Sequence, residues 1–383
     1  MISRVSKQFV QSFMNGCSYT CSFIFFGRYI RLYADSSEII ERFAKVYVRF
    51  IDTNPGVSDI SFCIVRSSAH SRAPSLIVEH LLYELPDTDR YIEYAELIVF
   101  RHLLEQLDDY IVLHAGVVSR EGRAIVVYGQ SGFGKTTLTL ELLRRGYGFM
   151  SDEFCPIRLS DFLIEPFERL IGLKRSSPFY SLADPQQRFF LASEGKDFID
   201  CADIFPFRPA EPCRAAIFIE INGSKDSYIC PPGGVALDIC LSSNSTTVPD
   251  ALRRLLGVTI SEPLMKGSNA AYRVTASDST VFMSSFNQIW MENSHDIFSV
   301  FPYKGEITTY DCTPVLRSIP AFEALTSLVS NIVNRSPTGR LLASHGGKMS
   351  SLVMLLGNML NDAAFYSLQP GQLAKMADLI DNL

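Results

Sequence analysis

Gly129-Gln130-Ser131-Gly132-Phe133-Gly134-Lys135-Thr136 lies near the middle of this 383-residue chain and fits the pattern G-x-x-x-x-G-K-[ST]. The apolar, β-branched run 124–128 before it predicts a buried strand, and residues 136–145 after it predict a helix that ends at Gly146. Glycines let the backbone wrap around a phosphate with its N–H groups pointing inward, and the helix N-terminus adds partial positive charge. The sequence therefore predicts a phosphate-binding loop.

We expect this loop to bind a nucleoside triphosphate through Gly129, Gln130, Ser131, Gly132, Phe133, Gly134, Lys135, Thr136 and Thr137. Lys135 would reach the β- and γ-phosphates of ATP, and the Thr136 hydroxyl would hold Mg²⁺. The alternative is a glycine-rich turn between a strand and a helix, with no ligand. The complete motif in a strand–loop–helix context favours ATP and Mg²⁺ as cofactors.

A second apolar strand precedes the loop and forms a predicted hairpin with the strand of the loop. It covers residues 110–118, carries His114, and is joined to run 124–128 by the polar segment 119–123. In most phosphate-loop domains the partner strand is parallel and arrives through a helix. A hairpin at this place therefore points to a particular superfamily.

Two acidic residues, Asp152 and Glu153, end a short predicted strand beyond the helix. Asp152 follows Lys135 by 152 − 135 = 17 residues, which is enough for one helix and a return strand. Transfer of a phosphoryl group needs Mg²⁺ to neutralise charge, and a carboxylate can accept the proton of the attacking hydroxyl. The alternative is a solvated strand end or a helix cap.

Composition excludes several classes of function. A hydrophobic fraction of 47% and a charged fraction of 20% predict a soluble globular protein. The net charge of -6 does not indicate the basic surface that binds nucleic acid. The apolar stretch 21–26 is far shorter than the roughly 20 residues of a membrane span, and no signal peptide is evident. Nine cysteines without a C-x-x-C pair favour reduced thiols and a cytoplasmic location.

The length predicts more than one structural unit, because single domains usually have about 100 to 200 residues. Residues 1–88 are expected to form a separate α/β module of unknown role, with strands over 25–33 and 60–66 and a helix over 36–47. Residues 89–383 are expected to form the main domain, with helical elements towards the C-terminus. The predicted fold class is α/β (α+β).

Several of these motifs, in this order, match a known family. His114-Ala115-Gly116, the hairpin, the phosphate loop, the helix end at Gly146 and Ser151-Asp152-Glu153 together resemble the catalytic domain of HPr kinase/phosphorylase and its related kinases. More distantly they are similar to ATP-dependent phosphoenolpyruvate carboxykinase, which shares that domain. The contiguous resemblance covers residues 108–175. It implies a phosphoenolpyruvate carboxykinase/HPr kinase-like P-loop domain with a mixed sheet.

The resemblance also implies an activity. Members of this family phosphorylate a serine hydroxyl of a small carrier protein with ATP, and related kinases modify other substrates, including the C-terminal residue of precursor peptides. We therefore expect a kinase that transfers the γ-phosphoryl group to a hydroxyl, with a serine of a protein or peptide as the first candidate acceptor. Two alternatives remain open, namely a small-molecule kinase with the same core and a nucleotide-binding ATPase or regulatory switch. The sequence also leaves open whether the protein is a homo-oligomer.

By position in the family's motifs, Lys135 and Thr136 match the phosphate and Mg²⁺ contacts, and Asp152 matches the first residue of an Asp-Asp pair and is assigned as the base. Glu153 stands where the family has a second aspartate and is expected to bind or support the metal. The roles of the two acids can also be exchanged. Because a glutamate carboxylate extends farther by one methylene group, reversal of the reaction as a phosphorylase becomes doubtful.

The resemblance implies further site residues on the flanking segments. His114 matches a histidine near the γ-phosphate or the metal, although a single histidine on an apolar strand is usually a core residue. A basic residue in the segment 166–174 is expected to reach the transferred phosphoryl group, and Arg169 and Lys174 are the two candidates. Their default role is surface charge.

Overall fold

The computed structural model describes residues 2–53, 56–66, 73–86, 91–129, 132–174, 177–182, 189–191, 196–206, 210–222, 235–242, 246–261, 264–266, 269–293, 296–302, 313–335, 339–344, 349–360 and 362–383. Within these residues the chain is a mixed α/β protein with four β-sheets. The predicted α/β (α+β) class is therefore confirmed at this level.

The strands are β1 (Ile2–Arg4), β2 (Tyr19–Phe25), β3 (Arg28–Ala34), β4 (Ile60–Val65), β5 (Ser75–Val78), β6 (Leu81–Glu84), β7 (Tyr110–Arg120), β8 (Arg123–Gly129), β9 (Gly148–Ser151), β10 (Phe154–Arg158), β11 (Leu163–Ile164), β12 (Ile171–Leu173), β13 (Phe189–Leu191), β14 (Lys196–Ile199), β15 (Cys213–Ile221), β16 (Val235–Ser242), β17 (Val258–Ile260), β18 (Leu264–Lys266), β19 (Asn269–Ala276), β20 (Ile297–Pro302), β21 (Val315–Ser318) and β22 (Ala364–Gln369). The α-helices are α1 (Lys7–Asn15), α2 (Ser37–Val46), α3 (Tyr91–Gln106), α4 (Lys135–Arg144), α5 (Thr247–Arg253), α6 (Ser279–Glu292), α7 (Ala321–Ser330), α8 (Arg340–Ser344), α9 (Met349–Met359) and α10 (Leu373–Asp381).

The N-terminal sheet has the strand order β1-β6-β5-β4-β3-β2, and only β3 and β4 in it run parallel. The predicted helix over 36–47 and strand over 60–66 correspond to α2 and β4. The prediction of one strand over 25–33 was wrong. Phe26 and Gly27 have positive φ angles of 51° and 73°, so the chain reverses there and β2 and β3 form a hairpin.

The core of this sheet does not stop near residue 88. Its buried side chains on β2, β3, β4 and α2 pack in one cluster with α3 and with Tyr110, Val112, Phe154 and Phe167 from beyond α3. By contacts the chain falls into two compact units, residues 1–222 with 311–383 and residues 223–310. The proposed boundary at residue 88 stays a prediction.

The main sheet carries the phosphate loop and has the order β11-β10-β7-β8-β15-β22-β21. β7 and β8 form the predicted hairpin, whose turn residues Glu121 and Gly122 have positive φ angles of 54° and 75°. Positive φ at both turn residues suits the right-handed twist of a hairpin. β15 runs parallel to β8, and β11 pairs with both β10 and β15, which closes five strands into a ring.

Strands β9 and β10 both pair with one edge of β7 and are separated by Asp152 and Glu153. Ser151 pairs with Val117 and Phe154 pairs with His114, so the two acidic residues lie opposite Ala115 and Gly116. The Ala115 N–H donates to the Glu153 carbonyl at 3.1 Å. The acidic pair therefore occupies a bend within an otherwise paired edge, close to the hairpin that leads into the loop.

Gly116 brings helix α4 close to β7. A Cβ atom at this position would lie 2.2 Å from Oγ1 of Thr139, a fully buried residue of α4. Only glycine therefore leaves room for the helix that follows the phosphate loop.

We expect Gly116→Ala to reduce the free energy of unfolding by about 1 to 3 kcal/mol, because overpacking forces side chains and backbone to shift. The Thr139 hydroxyl has no hydrogen-bond partner within the described part of the chain. Thr139→Ala should therefore be well tolerated, and the double variant should regain most of the lost stability. Urea unfolding measures the free energy of unfolding of the two single variants and of the double variant. A matched control is Gly357→Ala in α9, where an added Cβ meets nothing within 4 Å. Equal stability of the Gly116→Ala and Gly357→Ala variants would contradict this account.

The C-terminal helix α10 packs on α4 through charged groups. Arg145, just after α4, donates to Asp378 at 2.8 Å and to the Ala374 carbonyl at 2.7 Å, and it also contacts Asp381. Asp381 accepts further hydrogen bonds from the Tyr147 hydroxyl at 2.8 Å and from Arg120 at 3.1 Å. These contacts tie the end of the chain to the helix of the phosphate loop.

The pKa of Asp381 is lowered. Burial alone would raise it, but the hydrogen bonds from Arg145 and Tyr147 and the nearby arginine charges outweigh that effect. A carboxyl with a lowered folded-state pKa stabilises the protein above its unfolded pKa of about 3.9, and this contribution is lost as the pH falls through the folded value. We therefore expect Asp381→Asn to lower the melting temperature at pH 7, and the difference from the wild type should shrink progressively as the pH falls below about 3.9. Melting curves over this range test it, with Asp362→Asn at an exposed carboxyl as the control. A constant difference at all pH values would refute the assignment.

The unit of residues 223–310 is built around its own sheet, with the order β17-β19-β16-β20 and β18 paired with β19. All of its described strand pairs are antiparallel, and α5 and α6 supply a separate core with Phe282 and Phe286. Leaving β18 aside, β16-α5-β17-β19-α6-β20 has the element order of the ferredoxin-like β-α-β-β-α-β motif. Over the described residues of the whole chain, no helix is both long and apolar enough to cross a membrane.

Candidate active site

The phosphate loop begins where β8 ends. Gly129, Gly132 and Gly134 have φ angles of 136°, 92° and 91°, which side chains rarely tolerate. A Cβ at Gly129 would also lie 2.5 Å from the Ile221 carbonyl oxygen of the neighbouring strand β15. The three glycines of the motif are thus required by the backbone. The predicted ligand residues Gln130 and Ser131 lie outside the described residues.

Lys135 and Phe133 are both buried. Lys135 is the first residue of α4, and its Nζ donates to the Gly129 carbonyl oxygen at 2.9 Å. The ammonium group therefore lies beside the first glycine of the motif, at the N-terminus of the helix. This is where the lysine of a phosphate-binding loop meets the β- and γ-phosphates.

Thr136 and Asp152 are in direct contact. The Thr136 hydroxyl donates to Asp152 Oδ2 at 3.2 Å, and both side chains are partly exposed. The structure thus brings together the predicted metal-binding hydroxyl and the first acidic residue, although 16 positions separate them in sequence.

A serine shapes the bend that carries the two acids. Buried Ser151 accepts hydrogen bonds at its Oγ from the backbone N–H of Phe154 at 3.1 Å and of Glu153 at 3.4 Å. The side chain satisfies backbone donors that the interrupted strand leaves without a ladder partner. Asp152 and Glu153 consequently diverge from one bend, with Asp152 directed towards Thr136.

Glu153 contacts a buried arginine. Arg169 Nη1 donates to Glu153 Oε2 at 3.2 Å, and Arg169 Nη2 lies 3.4 Å from Glu96 Oε1 in α3. Glu96 in turn accepts a hydrogen bond from the Tyr47 hydroxyl. Burial, followed by the charge of Glu96, raises the pKa of Tyr47 well above its usual range, so this hydroxyl remains a donor.

His114 lies in β7 opposite Phe154, and its ring is half-buried with an edge-to-face arrangement to the Phe154 ring at 6.4 Å between centroids. Its backbone N–H donates to the Asn331 carbonyl at 2.9 Å. His114 thus lies two residues before Gly116, on the strand that pairs with both sides of the acidic bend.

The other predicted residues are less closely connected to this cluster. Lys174 follows β12 and has an exposed side chain, and Thr137 is a partly exposed residue of the first turn of α4. Their roles at the phosphate or nucleotide stay predictions. Within the described residues, no group of three or more His, Cys, Asp or Glu side chains could hold a metal ion.

Three buried or partly buried residues near the site were not predicted from the sequence, namely Glu96, Tyr47 and Asn334. Glu96 could have been noticed as an acid within the largely apolar helix α3. Asn334 is buried, and its Oδ1 accepts from the Val112 N–H at 3.0 Å while its Nδ2 donates to the Tyr110 carbonyl at 2.9 Å. No local pattern marks this asparagine, because its partners lie more than two hundred residues away.

Comparison with known proteins does not assign this site to a family. No protein-family model matches the chain, and a search of curated proteins gives no match.

Proposed function

We propose that this protein is an ATP-dependent kinase of the HPr kinase-like class, which transfers the γ-phosphoryl group to a hydroxyl, with a serine of a protein or peptide as the first candidate. The observation that carries the proposal is the contact between Thr136 and Asp152 at the start of α4, beside Lys135. A hydroxyl, a carboxylate and an ammonium group therefore lie near one another at the start of the helix that follows the predicted phosphate-binding loop. Phosphoryl transfer requires these three kinds of group.

The loop supplies the binding energy for the phosphates. Its left-handed glycines permit close approach of the backbone, and the N-terminus of α4 adds partial positive charge. We assign the Lys135 ammonium, which now contacts the Gly129 carbonyl, to the β- and γ-phosphates of ATP. The antiparallel β7–β8 hairpin supports the HPr kinase-like relationship, because most phosphate loops follow a parallel crossover.

The donor set fits Mg²⁺. This ion prefers oxygen ligands, keeps several waters and is usually held by one or two carboxylates together with substrate phosphates. Thr136 and Asp152 provide such oxygens at the loop, Glu153 adds a carboxylate on the same bend, and a cage of three or more acidic side chains is not required. Mg²⁺ bound there would neutralise charge on the phosphates.

The two acids have different surroundings, which supports different roles. We retain Asp152 as the base that accepts the proton of the acceptor hydroxyl and Glu153 as the metal ligand. The Thr136–Asp152 contact also supports the exchanged assignment, because a phosphate-loop hydroxyl and an acidic residue hold Mg²⁺ together in many such domains. Either way, Asp152 is close enough to the loop to act on the γ-phosphate region.

His114 is the last of the predicted catalytic residues to be given a role. It lies on β7 opposite Phe154, next to the acidic bend, and its side chain is partly exposed. We propose that it contacts the γ-phosphate or a metal-bound water rather than serving only in the core.

The test is incubation of the pure protein with γ-labelled ATP and Mg²⁺ together with serine-containing peptides, lysate protein fractions or small hydroxyl compounds. We expect label on a protein or peptide, stable to acid as a serine phosphoester. If label is found only on small molecules, the acceptor is a small molecule and not a protein or peptide. ATP hydrolysis without any transfer would contradict the kinase assignment.

A further inference from the structure

A buried chain of polar contacts connects the acidic bend to the N-terminal part of the protein. It runs from the Glu153 carboxylate to Arg169, then to Glu96, and ends at the Tyr47 hydroxyl. The side chains of Arg169 and Glu96 are 7% and 12% exposed, whereas Glu153 is 29% exposed and can therefore reach a ligand at the surface. The four residues come from four different segments of the chain.

Arg169 is held on its faces as well as at its nitrogen atoms. Its guanidinium carbon lies 5.7 Å from the ring centroids of Tyr47 and Phe100 and 5.5 Å from that of Phe198. A buried arginine is costly unless carboxylates pair with it, and aromatic faces further restrict its orientation. The planar fork therefore has one well-defined position, with one nitrogen for each of its two acidic partners.

This arrangement gives Arg169 a role different from a direct contact with phosphate. Both of its terminal nitrogens are directed to carboxylates, and Glu153 Oε2 is fixed by one of them. The other oxygen of Glu153 is the one that we assign to the metal. Removing Glu96 would take away the partner of Arg169 Nη2 and would change how the Glu153 carboxylate is held.

We propose that Arg169 is a positioning residue that orients Glu153 towards the metal of the site, and that Glu96 and Tyr47 hold Arg169 in place. The inference rests on the proposed function, since it requires a metal–nucleotide site at the loop. It makes residues upstream of the hairpin part of the active-site machinery. Partners that orient a metal ligand typically contribute about 10- to 100-fold to metal affinity or activity.

The test measures binding of Mn²⁺, a paramagnetic substitute for Mg²⁺, to the full chain in the presence of ATP by electron paramagnetic resonance. We expect Glu96→Gln and Glu153→Gln each to weaken Mn²⁺ binding by about 10-fold or more. Both substitutions act through the Glu153 carboxylate. Adding Glu96→Gln to the Glu153→Gln variant should therefore weaken Mn²⁺ binding by less than a further factor of about two. Arg169→Lys should resemble Glu96→Gln, since a single ammonium cannot replace the fork.

Two further variants distinguish a positioning role from a general loss of structure. Arg158→Met removes another arginine that bridges two acids, Asp161 at 2.7 Å and Glu165 at 2.6 Å, and should leave Mn²⁺ binding within about twofold of wild type. Tyr47→Phe keeps the ring in the core and removes only the hydroxyl bonded to Glu96. Tyr47→Phe should also weaken Mn²⁺ binding. It takes the place of Glu96→Gln in the test if the latter variant does not fold.

The outcomes distinguish this inference from the proposed function. If the wild type binds neither ATP nor Mn²⁺ with ATP, the proposed function fails and the inference fails with it. If Glu153→Gln weakens Mn²⁺ binding but Glu96→Gln and Tyr47→Phe do not, only the inference is overturned. It is also overturned if Arg169→Lys weakens binding of metal-free ATP, because that result indicates a direct phosphate contact.

Discussion

Replacing Lys135 by alanine is expected to reduce phosphoryl transfer by about 100- to 1000-fold, the usual effect of removing one donor that stabilises charge in a transition state. The Lys135 Nζ atom is buried and hydrogen-bonded to the Gly129 carbonyl, so it is already positioned at the loop. Its charge acts in surroundings where water screens it little. The measurement is the rate of transfer from γ-labelled ATP at saturating Mg²⁺, together with the dissociation constant of ATP.

The matched control for this variant is Lys375→Ala, which removes an exposed lysine of α10. It should keep the rate of the wild type. Lys135→Ala should also remain folded, since alanine favours the first turn of α4 and only one hydrogen bond is lost. A Lys135→Ala variant that transfers phosphate at the wild-type rate would remove the phosphate loop from the proposed mechanism.

Replacing Asp152 by asparagine is expected to lower kcat by about 100- to 10,000-fold, the range for loss of a general base. Asparagine is nearly the same size and can still accept the hydrogen bond from the Thr136 hydroxyl, so the local structure should persist. Binding of ATP should change little, because we expect the backbone and Lys135 to provide most phosphate contacts. The expected defect is therefore in the chemical step.

Comparison with Glu153→Gln assigns the two acids. If Asp152 is the base and Glu153 binds metal, Asp152→Asn lowers kcat at every Mg²⁺ concentration, while added Mg²⁺ restores the activity of Glu153→Gln. The reverse pattern would exchange the roles. Asp109→Asn, at an exposed carboxyl paired with Arg28, is the control and should behave like wild type. Unchanged kcat in both acid variants would exclude this bend from catalysis.

The parts of the site that depend on local sequence could be predicted. The glycines of the loop, the strand before it and the helix after it follow from short-range requirements, and the structure has β8 and α4 where these patterns predict them. The same holds for β7, whose apolar residues and polar turn predict a hairpin. Asp152 was identified because one helix and one strand fix its distance from Lys135.

The remaining features depend on contacts between distant segments. Arg169 was predicted as a cation for the phosphoryl group, and its pairing with Glu96 and Glu153 could not be foreseen because three separate elements create it. The unit of residues 223–310 was not anticipated either. Its strands and helices have ordinary patterns, and the sequence has no composition change that marks it as an insertion between β15 and β21.

Asn334 and its neighbours determine when strand β7 can be completed. The first half of β7 exchanges hydrogen bonds on one edge with residues 331–334, and Asn334 follows Val112 by 222 positions. At about 5 to 20 residues per second, a ribosome needs on the order of 10 to 45 s to synthesise that interval. During this time an apolar edge of the strand that bears His114 stays without its native partner, and such edges promote aggregation. We infer that this part of β7 is completed late in biosynthesis, so chaperone supply should govern the yield of correctly folded protein.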